Sequence, residues 1–359
     1  MCGEAMGRTT RGREVEGSDE GGRSGVEVLG VERRKDGMGQ RGRGDSLRVV
    51  VVVAAVAGIF GCGSQQFIHT EDGVRLAYEV YGSGPDTVIV PLASYLAADW
   101  GEELAPDRTI IFYDPRARGA STLPTDTTRL GLEYDVADLE VVRSHFDVHR
   151  PALIGWWYYA VVVAEYAARN PENAGRVVLV SPMPIRATAP YWEQLNERAG
   201  RADSTFLRRF RKLKLEGWEE RDPEVFCRAK LRFADAPPMM NDPTALMIMR
   251  ANPCRYSNEW PGQLDVRMGR IMDDLGDWDF REVAAAVRSP VLVLHGLADH
   301  IPWEASREWA EHMDNALLLL FPRAGRFVWL EAITSFFSGM DVFLQGEVPW
   351  GATVVRDRR

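Results

Sequence analysis

The strongest constraint on this chain is an alternation of short apolar runs with helical segments that begins at Phe67. The runs "FIHT", "VRLAYEVYG", "TVIVPL", "RTIIFYD", "ALIG", "RVVLVSP", "PVLVLHG" and "NALLLLFP" are rich in β-branched, aromatic and other apolar residues, each of strand length. Asp72 and Gly73 turn the first run back on the second. Apolar residues recur at helical spacing through "GLEYDVADLEVVRSHF", and a second helix runs to Ala168. Strands separated by helices must be joined by crossovers, which predicts an α/β fold with a mostly parallel central sheet flanked by helices. With 359 residues, 45% of them hydrophobic, the chain can bury such a core.

The strand pattern stops between about Met183 and Val283, where "YWEQLNERAGRADSTFLRRFRKLKLEGWEE" is charged and amphipathic. A helical insertion in an α/β core is expected to roof the strand ends as a cap. The expected boundaries are 63–183 and 284–347 for the two core parts, 184–283 for the cap and 348–359 for a tail. Four cysteines are too few for a disulfide scaffold. Cys227 and Cys254 both fall in the cap, where an exported chain could join them; two separate buried thiols is the equal alternative.

The first 45 residues are Gly, Arg and Glu with few large apolar groups, so they cannot bury enough surface to fold. Met38 is a candidate start. Arg41, Arg43 and Arg48 then precede "VVVVVAAVAGIF" and Cys62, a basic segment followed by an apolar one too short to span a bilayer. Residues 46–62 are therefore expected to be an export signal, with "IFGC" similar to a bacterial lipobox and Cys62 the lipidated residue. The expected location is extracytoplasmic and membrane-anchored, with "GSQQ" as the tether. A net charge of −9 argues against a nucleic-acid partner.

Four motifs follow one another along the core: "YDPRARGAS" (Tyr113 to Ser121), "LIGWWYYA" (Leu153 to Ala160), "HGLAD" (His295 to Asp299) and "FPRAGRFVWLEA" (Phe321 to Ala332). In this order the chain resembles the α/β-hydrolase superfamily, and within it the proline-iminopeptidase-like hydrolases of small peptide, amide or ester bonds. The resemblance implies a nucleophile on a strained strand-to-helix turn, a histidine base and a carboxylate that orients it. Asp299 matches the acid. The nucleophile position falls on Trp157 and the base position on Arg326, where relatives have serine and histidine. Backbone N–H groups of Leu92 and Tyr158 are the implied oxyanion donors.

An indole cannot attack a carbonyl, and a guanidinium stays protonated and accepts no proton. Arg326 is instead expected to pair with Asp299 and stack on Trp157, the alternative being an arginine turned to solvent. Tyr159 replaces a glycine of the family pattern, so the turn is expected to be relaxed or distorted. The resulting expectation is a catalytically impaired pseudoenzyme that binds a small-molecule ligand under the cap, without a cofactor. The alternatives are an active hydrolase of unrecognised mechanism and a structural interaction protein at the membrane surface. Ser94 and His300 lie off the elbow and are weak substitutes for the reacting pair. His145 and His149 have H-x₃-H spacing but lack a third ligand, so no metal is expected. The cap acids Glu193, Glu197 and Glu219 are read as solvated charges, with amino-group recognition as the alternative.

Overall fold

The computed structural model describes residues 65–187, 191 and 204–355. The expected signal and Cys62, like Glu193 and Glu197, lie outside them. Among the described residues nine strands form one sheet, in the order β1-β2-β4-β3-β5-β6-β7-β8-β9. The strands are β1 (Gln66–His69), β2 (Arg75–Gly82), β3 (Asp86–Pro91), β4 (Arg108–Tyr113) and β5 (Ala152–Trp156), then β6 (Val177–Val180), β7 (Val291–Gly296), β8 (Ala316–Phe321) and β9 (Thr353–Val354). From β4 through β3 to β8 every neighbour is parallel, while β1, β2 and β9 pair antiparallel at the edges. The apolar runs explain this order. Every residue of β6 and β7 is buried, as strands covered on both faces require. The Asp72–Gly73 turn is present, with Gly73 at φ 84°.

Three helices position the site: α1 (Ala93–Leu104), α2 (Leu132–His145) and α3 (Tyr158–Arg169). The first, which carries Ser94, is not among the helices expected from the sequence. Leu96, Trp100 and Leu104 are buried at i, i+4 and i+8, so they hold "ASYLAADWGEEL" as a helix against β2 and β4. Within the segment expected as a tail, Thr353 and Val354 add β9 to the edge of β8. No described helix is long and apolar enough to cross a membrane.

The described part of the insertion, Ser204 to Leu275, consists of helices and short turns. It is bolted to the core by charge. Glu259 is 1% exposed and receives two hydrogen bonds of 2.8 Å from the Arg118 guanidinium and one of 2.7 Å from the Gly119 amide. Arg267, also buried, donates to the Arg116 carbonyl at 3.0 Å and to Asp135 at 3.2 Å. Burial alone would lower the Arg118 pKa, but Glu259 outweighs it and holds the group above its ordinary value.

Cys227 and Cys254 are joined in a disulfide, 27 residues apart in sequence. It ties the helix Pro223–Lys230 to the turns that carry Glu259. Closing a loop of that length removes chain entropy worth about 3–4 kcal/mol in the simplest model. Replacing both cysteines by serine should therefore lower the unfolding free energy by about 2–4 kcal/mol, read by denaturant titration. Equal stability of the oxidised protein and the double variant would show that the bond does not clamp the cap.

Candidate functional site

Trp157 sits between β5 and α3 with φ 54° and ψ −114°. A non-glycine residue there stores about 1–3 kcal/mol of strain, kept only when the surroundings leave no choice. They leave none here. The Trp157 amide donates to the Val180 carbonyl at 3.0 Å, and its carbonyl accepts from Ala160 at 3.2 Å and Met183 at 3.4 Å. The expectation that Tyr159 would relax this turn is corrected. The tight approach of strand and helix falls on Gly155, where an added Cβ would lie 2.2 Å from the Tyr159 carbonyl oxygen. Glycine is kept at 155, so a large residue at 159 is accommodated. The Tyr159 side chain is buried beside Arg118.

Asp299 follows the end of β7 and is fully buried. Arg326, 4% exposed, meets it with Nε to Oδ2 and Nη2 to Oδ1, both 3.1 Å. The same guanidinium lies 5.7 Å from the centre of the Trp157 ring. Trp157 also packs against the buried cluster of Tyr191, Ile301 and Ala305. Burial of both partners favours the bidentate geometry, because neither charge has water to fall back on.

The other expected residues distribute as follows. The Leu92 amide was expected to face the pocket as an oxyanion donor. It instead makes the last rung between β3 and β4, donating to the Tyr113 carbonyl at 2.7 Å, and this corrects that assignment. Tyr158 begins α3, and its hydroxyl donates to Asp135 at 2.9 Å. Ser94 lies in the first turn of α1, and its amide donates to Asp114 Oδ1 at 2.8 Å. Asp114 is buried at the end of β4, and loss of water pushes its pKa up to about 6. His300 Nδ1 is 3.3 Å from Asp299 Oδ1. His145 ends α2 against Tyr78 and Phe146, and His149 lines a separate cleft at the amino ends of the strands. Glu219 lies on the helix Trp218–Arg221 of the cap. Among the described residues no cluster of His, Cys, Asp or Glu could hold a metal ion.

His295 shows how a histidine beside the site is withheld from chemistry. Its Nε2 bonds the Ile301 carbonyl at 3.0 Å and its Nδ1 the Ser306 hydroxyl at 2.8 Å. A carbonyl can only accept, so Nε2 carries the proton and Nδ1 receives the serine hydroxyl. Burial pushes its pKa below the ordinary value, and the ring stays neutral.

A pocket of about 240 Å³ opens beside Trp157 under the cap. Tyr95, Trp156, Trp157, Tyr159 and Phe327 line it from the core. Leu231, Met239, Leu264 and Met268 line it from the cap side. Leu92, at φ 79°, is the second strained non-glycine residue on its wall. The Arg118–Glu259 pair is the component that sequence reading missed. Arg118 lay inside a quoted motif, but its partner is 141 residues away and nothing local marks Glu259 among the charges of the cap.

Residues 90–332 match the family model described as alpha/beta hydrolase fold. A proline iminopeptidase of Heyndrickxia coagulans is 32% identical over 141 residues, 38% of this chain and 48% of that protein, so the match spans about half its length. A pimeloyl-[acyl-carrier protein] methyl ester esterase of Chromobacterium violaceum is 26% identical over 279 residues, 76% of this chain and 99% of that protein. Among solved structures, the esterase EaEST from Exiguobacterium antarcticum superposes with a TM-score of 0.59 at 15% identity, covering 79% of this chain and all of that one. The proline iminopeptidase of Mycobacterium smegmatis gives 0.53 at 19% identity, covering 79% and 98%. At such identities the structural likeness speaks to the fold.

Proposed function

The chain belongs to the α/β-hydrolase fold family, and from that premise we propose that it is a binding pseudoenzyme, whose pocket holds a small molecule that the chain does not cleave. The observation that carries this reading is the state of the elbow. The turn that aims a nucleophile in such folds is intact at Trp157, yet its side chain is an indole stacked under a guanidinium. Nucleophile and base are thereby replaced by groups that neither attack a carbonyl nor accept a proton. The acid they would have used is neutralised by Arg326. A fluorophosphonate probe should leave the intact mass of the protein unchanged. An adduct on a pocket residue or on the neighbouring Ser94 overturns the reading.

We also propose that the chain is exported and carries a lipid anchor at Cys62. The basic segment, the apolar run Val49 to Phe60 and "IFGC" support this, as does a cap disulfide of the kind that persists in oxidising compartments. Stable anchoring takes two or more acyl chains, so Cys62→Ala should leave the protein soluble or unprocessed in cell fractionation. A processed Cys62→Ala protein that still sediments with membranes would refute the anchor.

A further inference from the structure

We propose that the ligand of this pocket is an uncharged aromatic molecule about the size of two fused rings, an inference that rests on the binding reading above. The pocket is charged in composition but not in what it offers a ligand. Arg118 is held by Glu259 through two hydrogen bonds of 2.8 Å. Arg326 is held by Asp299 through two of 3.1 Å. The remaining lining charges are Lys230, Asp235 and Asp265, and Lys230 Nζ sits 3.3 Å from Asp235 and 3.6 Å from Asp265. Every cation on the described wall thus already has a carboxylate partner, and the carboxylate in excess, Asp265, shares Lys230 with Asp235 and is 65% exposed to solvent. An anionic ligand would lose its water and meet no free cation, a cost that grows with burial, and a cationic one would meet only the exposed Asp265, where a pair gains little.

What the wall does offer is flat apolar surface. Five of its residues are aromatic, and the Arg118 guanidinium lies 5.4 Å from the Tyr95 ring centre and 5.9 Å from that of Tyr159. With Arg326 over Trp157, these cations sit at ring faces and polarise them. A planar ligand can slide between such rings in offset or edge-to-face contact. Size sets the upper limit. An apolar cavity of about 150 Å³ accommodates benzene, and this pocket measures about 240 Å³, room for one more ring.

Isothermal titration calorimetry at pH 7 tests this with three probes of one shape: neutral 2-naphthol, anionic 2-naphthoate and cationic 2-(aminomethyl)naphthalene. The naphthol should bind at least about tenfold more tightly than either charged probe, a difference near 1.4 kcal/mol. Leu264→Trp, which fills the pocket from the cap, should abolish that binding. Met268→Trp serves the same purpose should the first variant unfold. Tighter or equal binding of a charged probe overturns the ligand class and leaves the binding reading standing. Binding of none of the three overturns the binding reading itself. Naphthol binding unaffected by both filling variants places the ligand elsewhere and overturns the proposal.

Discussion

A protein carrying both Trp157→Ser and Arg326→His should hydrolyse p-nitrophenyl acetate at least ~10²-fold faster than the unmodified chain, while each single exchange stays near background. The reasoning starts from the backbone. The strained elbow at φ 54°, ψ −114° is present, so a serine hydroxyl would be presented where the indole now stands. Asp299 is present and buried, ready to orient an imidazole at position 326 in place of the guanidinium. Trp157→Ser alone leaves a hydroxyl with no base, because arginine cannot take its proton. Arg326→His alone leaves a base with no nucleophile. Nucleophile and base act as a unit, and their combined loss costs on the order of 10⁶ in rate in a working hydrolase. The smaller gain expected here allows for imperfect placement, since a displacement of about 1 Å costs roughly 10²-fold. Equal rates for Trp157→Ser and the double variant would show that Asp299 and position 326 do not form a competent pair.

The second large effect concerns stability. Arg326→Ala should lower the unfolding free energy by ~3–5 kcal/mol, because it takes the bidentate guanidinium from a fully buried carboxylate. For a domain of this size that corresponds to a fall of roughly 6–20 °C in Tm. The double variant Arg326→Met, Asp299→Leu should recover much of the loss, since replacing both partners removes the unpaired charge rather than exposing it. Removing an exposed pair such as Arg288–Asp314, whose side chains are 67% and 77% exposed, should change stability by less than about 1 kcal/mol. A Tm for Arg326→Ala no lower than that of the exposed-pair variant would mean that the carboxylate finds other partners and the pair is not what holds this corner together.

Both predictions lean on residues that were legible before any coordinates. Asp299 announced itself by its place just after the strand "VLVLHG", and Trp157 by its place after "ALIG". Burial, strand length and turn chemistry are properties of a few consecutive residues, so eight of the nine strands and the hairpin at Gly73 could be read from the chain alone. Helix α1 could have been read as well. Its Leu96, Trp100 and Leu104 recur at helical spacing and mark one buried face.

What only the tertiary structure decided was who meets whom. The chain could not tell that Glu259 would be the partner of Arg118, 141 residues away, or that Cys227 would reach Cys254. It could not place Thr353 and Val354 beside β8, because two residues carry too little pattern to mark a strand. Nor could it locate the contact that keeps the elbow tight, which falls on Gly155 and leaves room for Tyr159. Such choices depend on loop closure and on which groups lose water together, and both are set only when distant segments pack. Residue types along this chain determined an α/β sheet with a roofed pocket and removed the usual nucleophile and base. Packing then gave each cation on the described wall of that pocket a carboxylate partner and lined much of the rest with aromatic side chains.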